Sequence, residues 1–417
     1  MVETDPIPRL RMPLEIRVLA AAAFVIAIGY GLVAPALPAF ARSFDVGFTA
    51  ASAVVSAFAL FRLAFAPLSG RLVGRIGELR TYLLGLGIVA VSTGACAFAA
   101  EYWQLLVFRS LGGIGSTMFT VSSISMLVRL APPAMRGRAS GLWATGFLLG
   151  SVTGPLVGGG LVAFGLRAPF VVYAVMLLAA MALTGVLLRG RPGAVVEAGD
   201  AGSEFPIRDA LGLPAYRAAL AAAFANGWAV YGVRVALVPL FVVEALQRTE
   251  SWAGIALAVF AAGNALTLVV AGRIADRRGR RPLILAGLAV STVATAVLGF
   301  VPSLAAFLAV SLVAGLGSGL VNPPVNAAVA DVVGRRRGGT VLAGFQMASD
   351  IGAILGPLVA GAVAQLAGFG AAFGLTAVVL LLALVLWLPA PETLPGRPAR
   401  VLPIDAAAER GGDSQVG

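Results

Sequence analysis

Four glycines spaced four residues apart, Gly146, Gly150, Gly154 and Gly158, run through GLWATGFLLGSVTGPLVGG at 141–159. On a helix, positions four apart drift only slowly around the axis, so these residues form a ridge without side chains. Such a ridge lets a second helix approach backbone to backbone, as helices do in lipid. Pro155 interrupts the ridge, frees the carbonyl of Ser151 and bends the helix. Ordinary packing of membrane helices would account for one such ridge. It does not account for two. GAILGPLVAG at 352–361 follows GSVTGPLVGG at 150–159 by 202 positions. The same offset aligns Gly70-Arg71 with Gly272-Arg273, Gly77 with Gly279, Gly113 with Gly315 and Gly115 with Gly317. The chain is therefore read as two homologous halves. Internal duplication of a membrane bundle is the mark of a secondary transporter with its substrate site between the halves.

The remaining composition agrees. Of 417 residues, 59% are hydrophobic and 12% charged, more apolar surface than a water-soluble domain can hide. The fold class expected is an all-α polytopic membrane protein with 12 transmembrane helices in two six-helix bundles. The net charge of +11 comes from 30 basic residues, all arginine, with no histidine. Arg42, Arg167 and Arg248 fall in loops on one side, and Arg62, Arg109 and Arg234 inside apolar spans; every other arginine lies in the tails and in the loops of the opposite side. By the positive-inside rule both termini are then cytoplasmic. The basic charge reports topology and not nucleic-acid binding. One cysteine, Cys96, excludes a disulfide framework and a thiolate metal cluster. Residues 1–16 carry no signal-peptide pattern.

Spans of roughly 20 apolar residues are expected at 17–40, 49–69, 80–100, 104–129, 138–163 and 169–189. The second six are expected at 215–243, 252–272, 282–301, 304–332, 339–366 and 370–388. The domains follow: a cytoplasmic tail over 1–16, a six-helix bundle over 17–189 and a second over 215–388. A linker over 190–214, rich in Gly, Pro and charge and holding one short surface helix, joins them, and a disordered tail covers 389–417. The loops GRLVGRIGELR at 70–80 and GRIADRRGRR at 272–281 pair glycines, which permit a tight reversal, with cations placed where the preceding helix dipole favours them. Asp276 can pair with an arginine across the interface between helices, forming a latch that breaks when the bundle rocks.

These features resemble the major facilitator superfamily, and within it the twelve-helix drug:proton antiporter branch. The family's loop motif, Gly-x-Leu-x-Asp-Arg-x-Gly-Arg, is matched by Gly272, Asp276, Arg277, Gly279 and Arg280, with Ile274 at the leucine position. In the first half Gly70, Leu72, Arg75 and Gly77 match, beside Arg71, but Gly74 replaces the aspartate. The antiporter motif G-x8-G-x3-GP-x2-GG is matched at Gly141, Gly150, Gly154, Pro155, Gly158 and Gly159. The fourth-helix arginine followed by a glycine cluster resembles Arg109 to Gly115. The resemblance covers about residues 15–390 and implies alternating access by two halves. It also implies export rather than uptake, and a part for Arg109 in proton coupling.

Ionisable groups inside spans are functional candidates by default. Counting ~1.5 Å per residue from the start of the eleventh span puts Asp350 about 16 Å deep. Two readings fit it: a coupling carboxylate that alternates between protonated and ionised states, or a fixed structural acid. Gln346, one turn earlier, can orient it. Arg62 and Arg234 either line the cavity and attract anions or bond carbonyls at helix breaks. In the family, helices one, four, seven and ten line the cavity, which nominates Tyr30, Met118, Asn226, Tyr231, Asn322 and Asn326. Their Ala, Val, Leu and Phe surroundings suit an amphipathic ligand.

The leading expectation is therefore a proton-coupled exporter of small amphipathic molecules or drugs. Its setting is the bacterial inner membrane, and its partners are substrate, protons and lipid. It acts as a monomer, with no cofactor and no nucleic acid. An organic-anion or metabolite exporter is the alternative, favoured by three buried arginines against one deep acid. A non-transporting sensor on the same fold would call for a large soluble domain. No histidine cluster, metal-ligand spacing or nucleophile–base pair supports an enzyme, and no G-x-x-x-x-G-K-[ST] motif supports direct drive by ATP.

Overall fold

In a computed structural model of the chain, residues 13–130, 136–188, 205–334 and 338–394 are described. Most of the expected 1–16 tail, of the 190–214 linker and of the 389–417 tail lies outside them. Every regular element among the described residues is a helix. The first half comprises α1 (Leu14–Val33), α2 (Ala36–Arg42), α3 (Phe48–Ile76), α4 (Glu78–Ala97), α5 (Tyr102–Leu130), α6 (Arg136–Leu161) and α7 (Ala168–Leu188). The second comprises α8 (Ile207–Gly212), α9 (Pro214–Asn226), α10 (Arg234–Leu240), α11 (Glu250–Arg278), α12 (Arg280–Leu298), α13 (Leu304–Val333) and α14 (Gly339–Trp387).

Of these, 11 stretches are long and apolar enough to cross a membrane. The longest, α14, has 49 residues, about 73 Å of helix against a hydrocarbon core of ~30 Å. It is two spans. Gly368 has φ 83° and ψ 170° inside it, a backbone that glycine adopts and side-chain-bearing residues avoid. The spans thus number twelve, six to a half. Two expected helices are broken. Pro35 splits the first into α1 and α2, which stay together as one span, Leu14–Arg42. The seventh runs from α9 through π-helical turns at Gly227–Val233 and Phe241–Ala245 on either side of α10. The short helix expected before it is α8.

The glycine ridge of α6 lies on α1. A methyl group built on Gly146, Gly150, Gly154 or Gly158 would meet the carbonyl oxygens of Ala20, Phe24, Ile28 and Leu32 at 2.7, 2.7, 2.5 and 2.4 Å. Glycines four apart on one helix thus meet carbonyls four apart on the other. In the second half Gly352 and Gly356 bring α14 onto the carbonyls of Phe224 and Trp228 in the same way, at 2.1 and 2.8 Å. Gly159 and its counterpart Gly361 face outward from these pairs, across the seam between the halves. A methyl on Gly159 would stand 2.7 Å from the Ser251 carbonyl of α11, and one on Gly361 2.7 Å from the Ser52 hydroxyl of α3.

That seam is closed at the end opposite the arginine-rich loops. Arg42 pairs with Glu244 at 3.4 Å. Thr49 Oγ1 donates to Gln365 Oε1 at 3.1 Å, and Ser56 Oγ to the Ile354 carbonyl at 2.7 Å. Phe48 meets Phe369 at 5.1 Å between ring centroids, and Phe369 meets Phe241 at 5.4 Å. At the arginine-rich end no such contact across the seam is found among the described residues, and a methyl on Gly70, Gly74, Gly141, Gly272 or Gly339 would meet nothing within 4 Å. The two halves form a V that opens towards the arginine-rich loops.

Leucine at position 154 would have to displace the Ile28 carbonyl, an overpacking cost of ~1–3 kcal/mol. Gly154→Leu should insert into membranes at near-parental levels and lose most transport, whereas Gly141→Leu, with open space around it, should keep it. Quantified membrane fractions and transport rates decide; equal transport by both variants would refute the ridge.

Candidate substrate cavity and coupling site

Asp350 lies half-buried on the ridge-bearing segment of α14, where Gln346 Nε2 donates to its Oδ1 at 3.2 Å. The cation whose field reaches this carboxylate is Arg62 of α3, on the other side of the seam. The two do not form an ion pair within 4.0 Å. Tyr231 lies within electrostatic reach of Arg62, Tyr30 and Asp350, with Asn226 beside its phenol. The π-helical turn at Gly227–Val233 places it there. One extra residue in the turn shifts the direction of every side chain that follows, and Tyr231 is 50% exposed. Gly227 and Gly232 carry the turn's contact with α14: methyls there would meet the Ser349 carbonyl and the Pro357 ring at 1.9 and 2.8 Å. Tyr30, Arg62, Asn226, Tyr231, Gln346 and Asp350 therefore form one cluster, drawn from both halves.

The other candidates lie elsewhere. Arg109, 5% exposed, sits on the Phe58 ring at 4.2 Å and near the Tyr30 ring at 5.8 Å, behind the cluster. Met118 turns into the first bundle against Gly85. Arg234 is enclosed in the second bundle over Phe260. Asn326 spends its amide on the Asn322 carbonyl of its own helix, at 2.8 Å.

The loop residues form a different pattern from the expected latch. Gly77 and Gly279 end α3 and α11 with φ of 87° and 107°, each N–H capping the carbonyl four residues back. Asp276 pairs with Arg280, whose Nε reaches Asp331 Oδ2 at 3.2 Å. Glu392, just past the last span, accepts from the backbone N–H of Arg280 at 2.8 Å and of Arg281 at 3.2 Å; Thr393 Oγ1 donates to Asp331 at 3.1 Å. All these partners belong to the second half. The first half has its own pair, Arg129 Nε to Glu78 Oε2 at 2.7 Å. Adding 202 to 78 and 129 gives 280 and 331, so the ion pair is repeated with its charges exchanged. The exchange explains Gly74. An aspartate there would stand beside Glu78 across the corner at Gly77, as Asp276 stands beside Arg280, and would place two like charges together. Arg71, Arg75 and Arg273 are exposed at the open end. Arg277 lies in the last turn of α11.

The family model of the Major Facilitator Superfamily matches residues 19–244 and 219–407, between them nearly all of the two bundles. The chain belongs to the major facilitator superfamily. It is 25% identical over 360 residues to a multi-drug resistance efflux pump PmrA homolog of Lactococcus lactis, covering 84% of this chain and 88% of that protein. A 32% identical match to the uncharacterized MFS-type transporter Rv1250 of Mycobacterium tuberculosis covers 33% of this chain but 24% of that protein. Among solved structures, a bacterial homolog of the human lysosomal transporter Spinster superposes with a TM-score of 0.76 at 20% identity, over 89% of this chain and 95% of that one. The protein is thus a multi-pass membrane transporter of small molecules and not an enzyme, and its relatives include multidrug efflux pumps.

In this superfamily member the sequence reading missed three things. The charge-exchanged pair escaped because aligning identical residues cannot register a reversal. Glu392 lay outside the expected spans. The π-helical turns have no periodicity signal of their own, although Gly227 and Gly232 bracket the first.

Glu78→Arg should impair transport by placing two cations together at the α4–α5 end, and so should Arg129→Asp by placing two acids there. The double variant should recover most of the loss. Failure of the double variant to exceed the better single one in a transport assay would show that the pair's attraction is immaterial.

Proposed function

We propose that the protein is a proton-coupled antiporter that exports small amphipathic organic molecules by alternating access, with the arginine-rich end facing the cytoplasm of a bacterium. The observation that carries this reading is the V-shaped seam, tied shut by Arg42–Glu244 and Thr49–Gln365 at one end and open at the other towards Asp350. With the arginine-rich loops inside, the conformation is inward-facing, ready to load substrate from the cytoplasm. The protein works as a monomer, since one chain supplies both walls of the cavity.

Asp350 is the group suited to carry the coupling proton. Histidine is absent. The other two acids near the spans' ends are engaged, Glu244 with Arg42 and Asp331 with Arg280. Asp350 is held by a neutral amide instead, so either protonation state keeps a hydrogen-bond partner. Rocking of the halves changes its distance from Arg62, and with it the cost of ionisation. A second reading, export of organic anions, draws on Arg62 itself, a half-buried cavity cation without an acid in ion-pair contact among the described residues.

Asp350→Asn keeps shape and hydrogen bonding but cannot ionise. It should bind substrate about as well as the parent and lose uphill transport in vesicles under an imposed proton gradient. Accumulation against a gradient by the Asp350→Asn protein would place the proton elsewhere. A library screen of compound accumulation in cells with and without the protein would separate amphipathic cations, neutral molecules and anions.

A further inference from the structure

Phe58 and Phe260 hold equivalent places in the two halves, 202 positions apart, and each carries a guanidinium over its ring. The arginines themselves are not equivalent. Arg109 has Ser311 as its counterpart, and the stretch of α1 that corresponds to Arg234, residues 31–33, holds no arginine. Arg234 is the more isolated of the two. It is 7% exposed, lies 3.6 Å from the Phe260 centroid, and has no hydrogen bond or ion pair among the described residues. Its Nε and Nη1 are buried without partners. A ring face recovers only part of what a desolvated cation loses on leaving water. Something further must stand beside it.

A cavity of about 20 Å³ does adjoin it, lined by Arg234, Asn226, Phe260, Ser291, Thr295 and Ser318 among others. That is room for one water-sized particle and none for an organic molecule. Ser291 Oγ is likewise buried without a partner. The Ser318 oxygen accepts from Asn264 Nδ2 at 3.1 Å, which leaves its own O–H to donate. The lining holds no carboxylate. Its polar groups are a guanidinium, three hydroxyls and an amide, all able to donate. A water could accept two of these hydrogen bonds but would leave the charge unbalanced.

The geometry points to an anion site: the cavity beside Arg234 seats one chloride-sized anion inside the second bundle. The seat is separate from the Asp350 carboxylate but adjoins its cluster through Asn226, which lines the cavity and stands beside the Tyr231 phenol. Anion occupancy therefore bears on how that phenol is held, whichever substrate the protein exports.

The test uses the purified full chain in detergent at fixed ionic strength, with sodium chloride, bromide or acetate replacing gluconate. Chloride and bromide should raise the unfolding temperature saturably, by mass action on the folded state. Arg234→Met, similar in length but uncharged, should be at least as stable as the parent in gluconate and indifferent to halide. Parental unfolding that ignores the anion, or halide dependence that survives Arg234→Met, would overturn the site. Acetate acting as strongly as chloride would overturn its monatomic assignment. Should Arg234→Met fail to fold, equilibrium binding of radioactive chloride to the parent decides. About one ion per chain, displaced by bromide and not by gluconate, and bound more weakly by Ser291→Ala, is the result expected; no bound chloride refutes the proposal.

Discussion

Backbone-to-backbone contact between α6 and α1, and between α14 and the α9 region, is the constraint on which the rest of the structure depends. In lipid there is no hydrophobic force between helices, so close approach of small residues must supply the attraction. Gly150, Gly154 and Gly158 let α6 rest on the carbonyls of Phe24, Ile28 and Leu32; any side chain would hold the helices apart. The two ridges make each half rigid. What is left to move is the seam, where Gly159 and Gly254 bring α6 and α11 together, Gly361 meets α3, and Gly47 meets Gln365. A rigid half with a narrow glycine-lined seam can rock without repacking its core.

The charges follow the same division. Glu78, Asp276 and Asp331 pair with arginines inside one half, and these pairs need not break when the halves move. Arg42 and Glu244 pair across the seam and must part when the closed end opens. Both side chains are about a third exposed, so the pair costs little to break, as partly exposed ion pairs do. Arg109 and Arg234 rest on aromatic faces. Asp350 is held by the neutral side-chain amide of Gln346.

Much of this was legible in the sequence, and the parts that were not share a cause. The ridges, the duplication, the twelve spans and the cluster around Asp350 depend on residues that recur or on charges that stand out against an apolar run. Periodicity and offset register those directly. Arg62 and Asp350 were visible as charges, but their proximity across the seam depends on tertiary arrangement, which no local pattern encodes. The π-helical turns that aim Tyr231 arise from contact with α14 at Gly227 and Gly232, which no local pattern encodes. Glu392 caps α12 from more than 100 residues away.

The duplication is strict in geometry and broken in chemistry, and the break is what gives the cavity a direction. Gly113 and Gly315 make the same close approach to the carbonyls of Phe58 and Phe260, at 2.3 and 2.2 Å. Yet the counterpart of Arg62 is the neutral Asn264, and the counterpart of Asp350 is Leu148. One half thus contributes the cavity's cation and the other its acid. Had each half carried both, every acid could have paired within its own rigid body and rocking would have left it unaffected. Because Arg62 and Asp350 sit on opposite sides of the seam, the rocking that we propose would also change their separation. A difference in interaction energy between the two conformations is what any coupled ion must provide. In the proposed mechanism, placing the two charges on different halves would supply that difference with a single carboxylate.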